Sequence, residues 1–292
     1  MSPTLAGFSA IAMWALLALL TAASGGVPPF QLLAMTFAIG ALCGMGSWTW
    51  RRPVPDSLRL PPQVWLVGIG GLFGYHFFYY TALRNAPVAE ASLIAYLWPM
   101  LIVLGSALLP GERLRWFHVL GGMFGFAGAA LLVTRSGFGF NGSATGYLSA
   151  FACAFIWSGY SILSRALKSA PTDAVAIFCL ATALLSALCH IVFETTVWPS
   201  DITQWLAVLG LGVMPVGLAF YAWDHGVKHG NIQLLGSAAY LAPLLSTIIL
   251  VLAGLADPDW RLGGAALLIT LGAIVASGRL PGRRKQLAKA TA

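Results

Sequence analysis

Tyr96-Leu97-Trp98-Pro99-Met100-Leu101 returns nearly intact as Tyr240-Leu241-Ala242-Pro243-Leu244-Leu245, with positions 96 and 240 lying 144 residues apart in a chain of 292. Each copy sets a proline inside a long apolar segment. Proline cannot donate its backbone nitrogen and crowds the preceding turn, which costs about 3 kcal/mol in an ordinary helix. A freed carbonyl at membrane depth needs a partner in protein, water or substrate. Proline-broken hydrophobic segments at matching places in two halves point to the binding site of a transporter. Pro99 and Pro243 are therefore the expected hinges, with plain structural bends as the alternative.

Composition fixes the setting. Hydrophobic residues make up 59% of the chain, charged residues 9%, and mean hydropathy is +0.82. A soluble globule carries about 25% charged residues. Crossing about 30 Å of hydrocarbon takes about 20 apolar residues in a helix. Such stretches are predicted at 5–23, 30–50, 64–83, 89–109, 116–134, 146–164, 174–193, 204–223, 232–252 and 261–278. The fold expected is all-α and integral to the membrane, with ten transmembrane helices. Cys43, Cys153, Cys179 and Cys189 all fall inside these spans, without metal-site or disulfide spacing.

The sixteen basic residues sort by side. Arg51, Arg52, Arg59, Arg113, Arg115, Arg165, Lys168 and Lys228, with five more in 279–289, occupy alternate loops and the tail; Arg84, Arg135 and Arg261 lie opposite. Basic loops stay in the cytoplasm, which predicts cytoplasmic termini and a multi-pass inner-membrane protein. The net charge of +7 thus reports orientation and lipid contact, not nucleic acid. A count of ten gives five helices per half. Because five is odd, the second repeat enters from the opposite side, so two inverted five-helix repeats should surround a central cavity. The expected units are 1–136, 145–278 and a basic tail, 279–292. Trp14 and Trp157 echo each other early in the two halves, as do Gly128 and Gly272 in the fifth and tenth spans.

The third segment holds Tyr75, His76, Phe77, Phe78, Tyr79 and Tyr80. Tyr75 and Tyr79 share one face, and His76 and Tyr80 the next. A tyrosine has a flat apolar body and a polar tip, suited to stacking a ring and hydrogen-bonding a polar group. The expected substrate-binding set is Tyr75, His76, Tyr79, Tyr96, Trp98, Trp157, Tyr221 and Tyr240. Trp48, Trp50, Trp65, Trp116, Trp198, Trp205 and Trp260 lie near segment ends and read as an interfacial belt. The interiors of the predicted spans contain no Asp, Glu, Lys or Arg; Glu90 and Asp224 sit near helix ends. That absence argues against a substrate held by a buried ion pair and against carboxylate-driven proton coupling; the substrate expected is a neutral or zwitterionic small molecule. Pro215 reads as a local bend without a counterpart in the third segment. Asp224-His225-Gly226-Val227-Lys228-His229 places two histidines four apart, but no metalloprotease or hydrolase motif accompanies them. No enzyme, metal or cofactor is expected.

Ten helices in two halves, the early Trp of each half, Tyr-Leu-x-Pro in each fourth helix and Pro110-Gly111-Glu112-Arg113 together resemble the drug/metabolite transporter superfamily, and within it the EamA-like branch. The resemblance covers residues 5–278. It departs where Ala256, followed by Asp257, stands at the position repeating Glu112. The aromatic third and fourth helices are similar to those of bacterial aromatic amino-acid exporters of the YddG type. This implies export of small amphiphilic metabolites, with aromatic and other neutral amino acids first, by alternating access of a facilitative, uniport-like kind. A broad-specificity drug or metabolite exporter, with proton coupling, is the alternative. The lipid bilayer and the small-molecule substrate are the partners implied, with no obligate protein partner.

Overall fold

The computed structural model describes residues 2–50, 59–134 and 142–276. Arg51, Arg52, Arg135 and the segment 279–292 lie outside the described residues, as does the end of the last expected span. The described chain is a bundle of helices: α1 Pro3–Ala23, α2 Pro29–Ser47, α3 62–85, α4 Val88–Leu108, α5 Trp116–Val133, α6 Ala144–Ala166, α7 Thr172–Phe193, α8 Ile202–His229, α9 Ile232–Leu252 and α10 Trp260–Ala276. Eight of them are long and apolar enough to cross a membrane. The other two are α3, whose hydropathy is lowered by its tyrosines and histidine, and the shorter α10.

Helix starts follow local chemistry. Ser2, Ser143, Asp201 and Asn231 each accept a backbone N–H three residues on, at 3.4, 3.2, 2.9 and 2.9 Å, satisfying first-turn donors. Pro29 opens α2 and Pro62 opens α3, where a missing N–H costs nothing. The α2 terminus is capped from far along the chain. Glu194 accepts from Phe30 N at 3.0 Å and Gln31 N at 3.1 Å, and binds Arg84 at 2.8 Å and His190 at 3.1 Å.

The breaks within helices matter more to the site. The first half of α4 ends at Ala95 and the second begins at Trp98; α9 breaks between Ala238 and Leu241. Pro99 and Pro243 stand four residues after Ala95 and Ala239, where each ring opposes the carbonyl of the preceding turn. The expectation for Pro215 needs correcting. A wide, π-helical turn spans Met214–Leu218 in α8, and another spans Gly70–Gly74 in α3, 144 positions earlier. Glycines form the first turn and a proline sits in the second, so a search for paired prolines missed the match. The end of α8 also differs from expectation: the helix continues past 223 to His229. Asp224 and Lys228 are thus helical, and they form an ion pair at 2.8 Å with side chains 1% and 4% exposed. Hydropathy penalises each charge separately and cannot register their mutual neutralisation.

Packing pairs α5 with α10, α2 with α7, α1 with α8 and α3 with α6. At the α5–α10 crossing a Cβ on Gly121 would lie 2.5 Å from the Gly272 carbonyl, and one on Gly272 would lie 2.6 Å from that of Gly121. Neither backbone can yield without separating the helices. Gly121→Ala is expected to destabilise the bundle by about 1–3 kcal/mol, read as a lower melting temperature in detergent. An unchanged melting temperature would mean the helices do not meet there.

Candidate functional site

The breaks in α4 and α8 and the faces of α1, α3 and α6 converge on a cluster of rings. Trp14 of α1 stands 5.8 Å from Trp157, 6.2 Å from Trp98 and 5.0 Å from Trp223, centroid to centroid. Trp98 is 6.3 Å from Trp157 and 5.9 Å from Trp223, in both cases edge to face. These edge-to-face contacts suit the aromatic quadrupole. Trp98, Trp157 and Trp223 are 6%, 2% and 0% exposed, so they form a sealed layer. Two indole N–H groups find partners within it. Trp14 Nε1 donates to the Pro215 carbonyl in the α8 wide turn at 3.1 Å, and Trp223 Nε1 donates to Ser161 Oγ at 3.1 Å.

Tyrosines stand on one side of this layer. Tyr75 is 5.4 Å from Trp157 and stacks on Tyr79 at 5.9 Å with a 5° interplanar angle. Tyr96 lies beside Tyr79. Tyr75, His76, Tyr79, Tyr80 and Tyr96 are each partly exposed. The hydroxyls of Tyr75, Tyr80 and Tyr96 have no hydrogen-bond partner among the described residues, while Tyr79 OH pairs with Ser92 Oγ at 3.4 Å. His76 Nδ1 lies 2.7 Å from the Leu72 carbonyl. A carbonyl can only accept, so Nδ1 carries the proton and Nε2 presents a lone pair. Phe37 at 5.1 Å and Phe220 at 6.1 Å hold the imidazole edge to face.

Both α3 and α6 give the ring cluster a direction. From Tyr75, α3 runs toward Asn85, where the Asn85 carbonyl accepts from Ser143 N and Oγ at the start of α6. Beyond the tryptophan layer, α6 runs on through Tyr160 and Ser161 to Arg165. The tyrosines therefore lie toward the Asn85 end, and the tryptophans lie between them and the Arg165 end.

The Arg165 end is tied by a polar node. Arg165 pairs with Glu112 at the end of the first four helices. It also donates to the carbonyls of Val227, Lys228 and Gly230 at 3.2, 2.9 and 2.9 Å. Gln233 Nε2 donates to the other Glu112 oxygen at 2.9 Å, and Asn231 N to Thr4 Oγ1 at 3.1 Å. A cation over exposed carbonyls at a helix C-terminus is favourable. The node thus joins the ends of α6 and α8 to the start of α9.

Six residues expected from sequence come together here: Tyr75, His76, Tyr79, Tyr96, Trp98 and Trp157. Two do not. Tyr221 turns toward α2, where its hydroxyl donates to the Gly40 carbonyl at 3.0 Å. Tyr240 is fully buried in a separate cluster with Ala129, Leu132, Leu244 and Ile269, and packs against Phe126. Both sit near helix breaks that turn them away from the ring cluster. Trp14, Phe37, Tyr160, Phe220 and Trp223 belong to the cluster and were not expected in it. The echo of Trp14 with Trp157, and of Tyr79 with Trp223 at a spacing of 144, was the available signal. His225 and His229 lie 5.1 Å apart at the end of α8, and no group of three or more metal-binding side chains occurs among the described residues.

The chain is 56% identical to the Aromatic amino acid exporter YddG of Ancylobacter novellus over 94% of its own length and 97% of that protein. Identity to proteins of the same name from Salmonella typhimurium and Escherichia coli is 25% and 24%, each over 93% of this chain and 95% of the relative. A solved crystal structure of a 55%-identical chain superimposes with a TM-score of 0.90, covering 94% of this chain and 96% of that one. The EamA-like transporter family matches residues 1–134 and 144–278. This chain is a multi-pass membrane protein that belongs to the EamA-like transporter family.

Proposed function

We propose that the protein exports aromatic and other neutral amino acids across the bacterial inner membrane by alternating access, driven by the substrate's own gradient. The observation that carries this reading is a group of partly exposed tyrosines standing against a layer of buried tryptophans. Relatives named as aromatic amino acid exporters support the substrate class. The rings of Tyr75, Tyr79 and Trp157 offer stacking faces. The Nε2 lone pair of His76 and the free tyrosine hydroxyls offer acceptors for an ammonium group, and ammonium over an aromatic face contributes about 0.5–2 kcal/mol.

Reading α3 and α10 as spans beside the eight long apolar helices gives ten, in repeats 1–136 and 145–278. Support for their inversion comes from the wide turns at Gly70–Gly74 and Met214–Leu218 and the broken α4 and α9. The reciprocal packing of α1 on α8 and α6 on α3 supports it as well. The basic Arg165 end faces the cytoplasm with both termini, so the cavity opens outward. Pro99 and Pro243 serve as hinges, and the protein works without an obligate protein partner.

Uptake of a labelled amino-acid panel into proteoliposomes tests the reading. Tryptophan, phenylalanine and tyrosine are expected to be transported ahead of charged amino acids, without stoichiometric change of lumenal pH. Trp98→Ala is expected to cut tryptophan uptake about tenfold or more. Equal transport of unrelated hydrophobic drugs, or no aromatic amino-acid transport, would contradict it.

A further inference from the structure

We infer that Asp224 and Lys228 form a second, cytoplasm-facing recognition site for the α-ammonium and α-carboxylate of an amino acid. The inference rests on the exporter reading above. Asp224 directly follows Trp223 of the layer, and Lys228 lies about one turn further along α8. Tyr160 stacks on Trp157 at 5.2 Å and reaches Asp224 Oδ1 at 3.4 Å, so the ring cluster continues down to the charges. Asp224 Oδ2 accepts from Lys228 Nζ at 2.8 Å and Thr172 Oγ1 at 2.7 Å; Lys228 also donates to the Ala170 carbonyl at 2.9 Å. That leaves one carboxylate oxygen with only the long tyrosine contact and one ammonium proton without a partner among the described residues. Both groups border a narrow crevice lined also by Val64, Gly68, Ser164 and Phe178.

A buried ion pair contributes little net stability over apolar residues of the same shape, and ionisable groups within spanning helices generally serve function. The repeat indicates which function. At a spacing of 144, Tyr79, Tyr80 and Arg84 of α3 correspond to Trp223, Asp224 and Lys228 of α8. The α3 face lines the cavity in this state while the α8 face is buried. Exchange of the repeats puts the α8 face into the opposite cavity, once Arg165 releases the carbonyls of Val227, Lys228 and Gly230. A charge pair then faces the solute on the side from which an exporter loads. The ammonium and carboxylate of an α-amino acid are separated by one carbon, matching adjacent opposite charges, while the side-chain ring reaches Trp223 and Tyr160.

The test is competition for labelled tryptophan uptake into inside-out membrane vesicles carrying the full chain. The competitors are tryptophan, tryptamine, which lacks the carboxylate, and indole-3-propionate, which lacks the ammonium. For the wild type both analogues are expected to compete at least about tenfold more weakly than tryptophan. In Asp224→Asn/Lys228→Gln, which keeps hydrogen-bonding groups without charge, all three are expected to converge within about threefold. An analogue that matches tryptophan on the wild type overturns the inference without any variant. So does a folded double variant that keeps the wild-type ranking. Absence of tryptophan uptake by the wild type instead overturns the exporter reading itself.

Discussion

Trp157→Ala is expected to abolish transport and to lower thermal stability more than any other substitution in the ring cluster. Its indole touches Trp14, Trp98, Trp223 and Phe220 within the layer, Tyr75 on the cavity side and Tyr160 on the far side. Truncating a buried tryptophan to alanine costs about 3–5 kcal/mol, depending on how far the surroundings collapse. Here collapse is resisted, because Trp14 and Trp223 are held by hydrogen bonds to Pro215 and Ser161. The resulting void sits in the barrier that separates the two sides, so coupled exchange should fall along with stability. Trp157→Phe keeps a stacking face for Tyr75 and Tyr160 and is expected to recover most of the stability and part of the transport. Melting temperature and uptake by both variants check this. A Trp157→Ala protein that transports normally would remove the layer from the mechanism.

Arg165→Ala carries the second-largest expected effect. The guanidinium bonds Glu112 and three carbonyls at the end of α8, and its side chain and that of Glu112 are 21% and 17% exposed. Removing one member of a fully buried pair costs about 3–5 kcal/mol. Partial exposure reduces this, so about 2–3 kcal/mol is the expected loss, or roughly 4–10 °C in melting temperature. Arg165→Lys keeps the charge but loses the planar fork, and should fall between the wild type and Arg165→Ala. The functional sign is also defined: weakening the node favours opening at that end, so cysteines placed near Tyr160 should become reactive to water-soluble reagents. Unchanged reactivity would mean that the node does not hold the closed end.

Much of this molecule can be read without coordinates. Helix limits follow hydropathy within about three residues at most ends, and the breaks before Pro99 and Pro243 follow from proline chemistry alone. That six expected residues on α3, α4 and α6 cluster was readable from aromatic rings gathered at mid-span. Where reading failed, the missing information was pairwise or directional. The charges of Asp224 and Lys228 each looked like a helix terminus, because neither position reports the partner that neutralises it. Tyr221 and Tyr240 follow a wide turn and a helix break, which reset the direction of their faces. The turn at Gly70–Gly74 has no proline to mark it. Its match with Met214–Leu218 emerges only from backbone geometry.

The asymmetry between the halves also has a physical basis. At one end Glu112 anchors Arg165, whereas its repeat position holds Ala256. At the other end Glu194 of α7 gathers Arg84, His190 and the α2 terminus. The polar contacts at the two ends therefore differ in chemistry.

The most direct test of repeat exchange is a pair of distances between spin labels. One pair joins residues 113 and 229 at the Arg165 end; the other joins 257 and 85, which lie 144 positions from the first two. If the halves rock about the ring cluster, adding tryptophan should shift both distance distributions in opposite senses, one lengthening as the other shortens. Two distances that stay fixed, or that change in the same sense, would contradict alternating access between inverted repeats.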